Sequence, residues 1–291
     1  MNIGLTTPVK TIALGNAKAM DLLDEWRIDY FCRGDDTLEQ ACVAAGANCK
    51  EILPILTALF GQTGEGEARD WRRAGVNELI DHVVSGYHVR TRSKIAEVED
   101  LLRALEPAWG DGPAEPELPL AAGLLDAFRE AARRITAQMD HEEGAVFPRI
   151  GAMKRFREGR GPLPPPCDES LTDCIASIRI EHEAIAVPLR VLRDSPSTLR
   201  GDHEGGVVLE AAFRRFRIGV QRQIHLEGNV LFPRALSLEP ESALPPPSSS
   251  RWPTTVRAES RSSWPPAPRS EPTIAIPART QRDATWSRTA R

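Results

Sequence analysis

Between residues 76 and 239 the apolar positions recur in alternating steps of four and three, the spacing of one helix face. Four such stripes can be traced. The first is Val84, His88, Thr91, Ile95, Val98, Leu102 and Leu105; the second is Leu124, Phe128, Ala131 and Ile135. The third is Leu171, Ile175, Ile178, His182, Ile185, Leu189 and Leu192, and the fourth is Leu209, Phe213, Phe216 and Val220. The first helix is expected from about Val76 to Leu105, closed by a Pro/Gly-rich loop at Pro107–Pro119. The second is expected to end near Pro148, ahead of a basic, proline-rich loop at Lys154–Pro166. A turn at Ser195–Gly201 separates the third from the fourth. This pattern predicts an all-α fold, an antiparallel up-down-up-down four-helix bundle.

The second and fourth helices are copies. The run QMDHEEGAVFPR, Gln138–Arg149, returns 85 residues later as QIHLEGNVLFPR, Gln223–Arg234. Gln138, Glu142, Phe147, Pro148 and Arg149 have identical partners in Gln223, Glu227, Phe232, Pro233 and Arg234. Each copy therefore continues its apolar stripe with a Gln and, one turn later, a Glu. With His88 and His182 on the other two stripes, six polar side chains fall where core residues belong, near one level of the bundle.

That level demands an explanation. A buried, unpaired carboxylate costs several kcal/mol, and two on facing helices repel unless a proton or a cation lies between them. Carboxylates and imidazoles converging inside a bundle are a common means of holding a pair of iron or manganese ions. One such histidine alone would read as an ordinary core residue, and one glutamine as a register device. Six residues on four helices, two of them in repeat, favour a site.

Elsewhere the chain is plainer. Residues 1–62 form a small helical unit, with helices at Ala17–Ile28 and Leu38–Phe60 around the turn-like Phe31–Thr37, and residues 63–75 read as a linker. The bundle occupies 76–239. The tail, 240–291, holds ten of the 24 prolines and eight arginines without a lysine, and is expected to be disordered. It carries +4 of a net charge of −4, leaving −8 on the rest, so broad nucleic-acid affinity is not expected. Neither a membrane-spanning run nor a signal peptide is read, and five cysteines without framework spacing are expected to be reduced thiols in a cytoplasmic protein.

Three motifs, YHVR at Tyr87–Arg90, EHEA at Glu181–Ala184 and LEGNVLFPRAL at Leu226–Leu236, complete a resemblance. The chain from about residue 11 to 238 resembles the Repair of Iron Centers family, hemerythrin-like di-iron proteins of the ScdA/YtfE type that repair iron–sulfur clusters after oxidative or nitrosative damage. The resemblance implies a short N-terminal thiol domain followed by a hemerythrin-like bundle with two iron ions. It also implies that His88 and His182 are iron ligands and that Glu142 and Glu227 bridge the irons. Gln138 and Gln223 stand where the family has two further histidines; a neutral amide oxygen is the weaker donor. Tyr30-Phe31-Cys32-Arg33-Gly34 stands where the family has Tyr-Cys-Cys-Gly-Gly. Cys32 thus lacks a vicinal partner; beside Arg33 its pKa could fall, giving a reactive thiolate, but an ordinary half-buried thiol is the favoured reading. Cys42, Cys49, Cys167 and Cys174 are expected to pack. His225 should point away from the site, His141 lies at the edge of its stripe, His82 supports the shell or faces solvent, and His203 is a surface residue.

The leading expectation is a repair factor that binds iron loosely and delivers it to damaged iron–sulfur proteins, its clients; a homodimer is left open. Neither nucleic acid nor membrane is an expected partner. One alternative is a non-haem di-iron oxidoreductase reacting with nitric oxide or oxygen. The other is a metal-free or metal-poor interaction protein that has kept the bundle.

Overall fold

The computed structural model describes residues 1–61, 71–109, 118–164, 170–194 and 204–239. The expected tail, most of the 63–75 linker, most of the Pro107–Pro119 loop, the Ser195–Gly201 turn, Cys167 and His203 lie outside them. The described residues are helical and contain no strand. Four helices, α1 (Val9–Gly15), α2 (Ala17–Glu25), α3 (Leu38–Ala45) and α4 (Cys49–Gly61), precede the bundle. The first bundle helix is α5 (Val76–His82) continued by α6 (Val89–Trp109), and the second is α7 (Leu118–His141) continued by α8 (Phe147–Arg157). The third is α9 (Leu171–Asp194), and the fourth is α10 (Glu204–Leu226) continued by α11 (Phe232–Leu236).

The joints inside these helices are turns of π-helix at Val83–His88, Glu142–Val146 and Glu227–Leu231. Two of them immediately precede Phe-Pro. In an unbroken α-helix the rings of Pro148 and Pro233 would strike the carbonyls four residues back. A wider turn relieves this: Phe147 N–H donates to the Glu142 carbonyl and Phe232 N–H to that of Glu227, five residues back. The second helix therefore does not end near Pro148 but runs on to Arg157. In the first helix the extra residue moves the stripe. Val83, not Val84, is the fully buried position, and the core face passes from Leu79 and Val83 to His88 and Thr91.

Two hydrophobic clusters order the bundle. One joins Val98 and Leu102, Phe128, Ala131 and Ile135, Ile185 and Leu189, and Phe213, Phe216 and Val220. The other joins Leu79 and Val83, Phe147 and Ile150, Leu171 and Ile175, and Leu231 and Phe232. Successive helices thus cross from one cluster to the other in alternating directions, as the stripes predict. His88, Gln138, Glu142, His182, Gln223 and Glu227, all buried, lie along the chain between these two sets.

The N-terminal helices share the first cluster, through Ile12, Leu23, Tyr30, Leu38 and Leu56. Two differences from expectation appear here. Helix α1 is additional, and the expected Leu38–Phe60 helix breaks at Gly46, whose φ of 65° is the left-handed conformation that favours glycine. That turn folds α4 back on α3 and brings Cys42 and Cys49 to a Cα separation of 5.8 Å, joined as a disulfide. The expectation of reduced, merely packed thiols does not hold for this pair. No described helix is long and apolar enough to cross a membrane.

Asp24 on α2 and Arg217 on α10 pair at 3.2 Å with both side chains nearly inaccessible, and Arg217 also donates to Gln221 at 2.6 Å. Burial raises the Asp24 carboxyl above its usual range, and the guanidinium pulls it only partway back. The pair therefore secures geometry more than net stability. Asp24→Ala, which strands the Arg217 charge, is expected to cost about 3 kcal/mol in urea denaturation, and Asp24→Leu/Arg217→Met to recover most of that loss.

Candidate metal centre

All but one of the side chains of the polar layer are delivered by a helix segment at or beside a π turn. His88 ends the first such turn; Glu142 and Glu227 begin the other two. Gln138 and Gln223 stand one α-helical turn earlier, and His182 comes from the middle of α9. Ligand atoms of His88, Glu142 and Glu227 all lie within 4.8 Å of one another, fully buried. His88 Nε2 is 3.3 Å from Glu142 Oε2 and 3.4 Å from Glu227 Oε1. His182 Nε2 is 3.2 Å from Glu227 Oε2. The four residues expected as ligands are thus brought together, with Glu227 between the two imidazoles.

The glutamines occupy the same layer and do different things. Gln138 Nε2 donates to Glu142 Oε1 at 2.9 Å and lies 2.7 Å from His182 Nε2. Gln223 Oε1 accepts from the Thr91 hydroxyl at 3.0 Å. Among the described residues Gln138 Oε1 and Gln223 Nε2 are buried without a hydrogen-bond partner, and Glu142 Oε2 and Glu227 Oε2 have only the imidazoles at 3.3 and 3.2 Å, outside good hydrogen-bond geometry. Three of these four atoms are acceptors, in a region where uncompensated acceptors are costly. Two carboxylates and two imidazoles with unshared electron pairs turned toward one another suit a cation, and their oxygen and nitrogen donors suit iron or manganese.

Electrostatics reflect the same crowding. Burial, reinforced by repulsion from Glu227, raises the Glu142 carboxyl above its ordinary range. Burial acts against the charged form of His88, but hydrogen bonds to Glu142 and Glu227 outweigh it and carry the imidazole up to about 10. Burial also works to raise Glu227, yet His182 and His88 hold it below the usual carboxylate range.

A residue outside the stripes completes the arrangement. Glu143 Oε1 meets His88 Nδ1 at 2.7 Å and accepts from Arg92 at 2.8 Å, while Arg92 also reaches Asp140 at 2.8 Å. A carboxylate on Nδ1 fixes the ring so that Nε2 faces the layer, the support usual for a metal-binding histidine. Glu143 also lines an open cleft of about 570 Å³ with Asp81, Val84, Phe147 and Arg155, so the chain Arg92–Glu143–His88 connects solvent to the layer. Glu143 was not legible from the periodicity because it sits one position off the core face.

The N-terminal motif closes the opposite side. Asp29 Oδ1 accepts from the N–H groups of Phe31 and Cys32 at 3.3 and 2.9 Å, an Asx-type turn. A methyl group at Gly34 would come within 2.7 Å of Asn229 Oδ1, so glycine lets this turn sit directly on the third π turn. Arg33 needs no such freedom, since Arg27 is the one described non-glycine residue with positive φ. Cys32 Sγ donates to the His182 carbonyl at 3.5 Å. Burial and the nearby Asp29 carboxylate push its thiol well above the ordinary range, which fits the ordinary half-buried thiol and not the reactive thiolate that Arg33 would favour. His225 does point away from the layer, but it is buried, with Nδ1 3.1 Å from the Tyr30 carbonyl, and burial lowers it to about 4. His82 stacks on Trp71 at 3.8 Å, and His141 is exposed.

In the metal-free chain folding raises the proton affinity of His88, so His88 contributes fully below about pH 6.5 and loses its contribution as the pH climbs through about 10. Chelator-treated protein is expected to lose about 4–5 kcal/mol of unfolding free energy across that window. His88→Gln should flatten the dependence in urea melts at fixed ionic strength.

No family model matches the chain. Two proteins named "Iron-sulfur cluster repair protein YtfE", from Citrobacter koseri and from Escherichia coli O157:H7, are each 27% identical to it over 235 residues, which is 80% of this chain and 97% of theirs. A third of that name, from Shigella boydii, has the same identity and coverage. The chain is therefore similar, over nearly their whole length, to iron–sulfur cluster repair proteins.

Proposed function

We propose that this chain binds iron in the polar layer of its bundle and supplies it to damaged iron–sulfur proteins. The observation that carries this reading is the buried convergence of His88, Glu142 and Glu227 within 4.8 Å, with His182 on the far side of Glu227. Similarity to proteins named for iron–sulfur cluster repair supports that process. His88, Glu142, His182 and Glu227 would hold the metal, which serves as cargo. The chain's own contribution is to bury and orient those donors, through Glu143 on His88 and through the N-terminal turn against α9 and α10. Replacing two strong imidazole donors by Gln138 and Gln223 weakens retention, which suits an ion that has to leave. Damaged cluster proteins are the partners on this reading, and no catalytic turnover is required of the chain.

The hydrogen bonds of Gln138 and the Thr91–Gln223 contact support a second reading, a metal-free interaction protein whose layer is held by amides. Ferrous iron decides between them. A ligand that binds only the native state, at a hundred times its Kd, stabilises by about 2.7 kcal/mol, or about 5–10 °C in a chain of this size. Anaerobic ferrous iron is expected to raise the melting temperature by that amount, reversibly with chelator, and His88→Ala or Glu227→Ala should abolish the shift. The loaded chain should also restore activity to a hydratase whose [4Fe–4S] cluster has been damaged by peroxide. A melt indifferent to iron would favour the metal-free reading; binding without restoration would remove the repair role and leave the metal site.

A further inference from the structure

The two glutamines replace equivalent residues of a repeat, yet their surroundings are not equivalent. Gln138 Nε2 lies between Glu142 Oε1 and His182 Nε2, at 2.9 and 2.7 Å. Carboxylate oxygen and imidazole nitrogen can both accept, so the NH2 group bridges them as a small cation would. Turning this amide over would set its oxygen against the Glu142 carboxylate oxygen, at the cost of that bond. Its orientation is therefore locked. Gln223 is different. Its one hydrogen-bond partner among the described residues is the hydroxyl of Thr91, which donates to the amide oxygen at 3.0 Å but can equally accept from an amide NH2. Turning Gln223 over keeps a bond to Thr91 and brings its oxygen to where Nε2, buried and unpartnered, now stands.

Each amide also belongs to a different half of the layer. Thr91 is one turn beyond His88 on the same helix, so Gln223 accompanies His88, Glu142 and Glu227, the group that converges within 4.8 Å. Gln138 accompanies His182, whose Nε2 lies close to Glu227 Oε2 but is already engaged by the amide. One half offers three ionisable donors and, one helical turn before Glu227, an amide free to present either its oxygen or its nitrogen. The other half is filled by the Gln138 amide, which a second ion would have to displace from both of its contacts.

From this geometry we infer that the chain holds a single divalent transition-metal ion, at His88, Glu142 and Glu227 with Gln223 available as a fourth donor, and that the Gln138 amide takes the place of a second ion beside His182. The inference rests on the metal-binding reading above and narrows it. Gln138 is then a built-in plug, and the two substitutions within the repeat have opposite consequences: one closes a position, the other weakens a donor.

The test is metal stoichiometry, not activity. Parent, Gln138→His, Gln138→Glu and Gln223→His proteins, each checked by circular dichroism for native helix content, are titrated anaerobically with ferrous iron. Calorimetry and elemental analysis after desalting give ions per chain, and cobalt(II) supplies an electron paramagnetic resonance signal. The parent is expected to bind one ion with an isolated high-spin cobalt signal. Gln138→His should bind two, with the cobalt signal attenuated by coupling, while Gln223→His stays at one and binds about tenfold or more tightly. Gln138→Glu, carrying an anionic oxygen in place of the amide, should also admit a second ion, which guards against a histidine that fails to fit. Two ions in the parent, or a second ion gained by Gln223→His and by neither Gln138 variant, would overturn the single-ion assignment while leaving the metal-binding reading in place. No ion in the parent or any folded variant would overturn both.

Discussion

Two glutamates, Glu142 and Glu227, face one another in the middle of a protein, and the rest of the bundle is arranged around that fact. Neither is accessible to water, and burial and mutual repulsion both act on Glu142. Such a pair persists only with compensating charge or hydrogen bonds close by. Here compensation comes from His88 and His182, one on each remaining helix, and from Gln138 within its own helix. Every helix of the bundle therefore contributes to one polar layer, with apolar clusters on either side that exclude water and strengthen each electrostatic interaction inside.

The π turns are the local device that makes the layer. Each widens the helix at the residue that enters or leaves the layer, and each is followed by a return to regular α-helix. In the two repeat copies the cause lies in the sequence: Phe-Pro cannot continue an α-helix without a clash, and the wider turn absorbs it. The turn at Val83–His88 has no proline. The fit of Gly86 against the Arg90 and His82 side chains, where a Cβ would stand 3.1 and 3.3 Å away, shows how tightly that segment packs. Sites built this way sit on rigid helices, and their donors are held by neighbours such as Glu143 and Thr91.

The N-terminal helices are part of the same construction. Cys32 contacts the carbonyl of the residue that bears one candidate donor, and Asn229 and Gly34 meet two residues past another. Tyr30 and His225 lock the same corner through a buried carbonyl–imidazole contact and an edge-on ring pair. A buried thiol with a raised pKa is a packing element in this state, so the chemistry of the chain is concentrated in the layer.

Much of this was legible in the residues. Steps of four and three placed all four bundle helices and their direction, and the repeat located Glu142 and Glu227 with their glutamines. The same stripes put His88 and His182 at core positions, because burial on one helix face leaves a periodic trace. What the sequence could not carry were contacts between segments distant in the chain and the local departures from 3.6 residues per turn. Continuous periodicity hides a π turn, so Val83 and Val84 exchanged roles and Pro148 read as an end. Glu143 lies off the stripe and acquires meaning only when His88 is opposite it. Cys32 beside Arg33 leaves an activated thiolate open as an alternative to a plain half-buried thiol until α9 covers it, and Cys42 and Cys49 read as separate until Gly46 turns α4 back on α3. The difference between Gln138 and Gln223 is of the same kind. In sequence they are the same residue at the same place in a repeat; only their partners, His182 and Thr91 on different helices, make one a lock and the other a hinge.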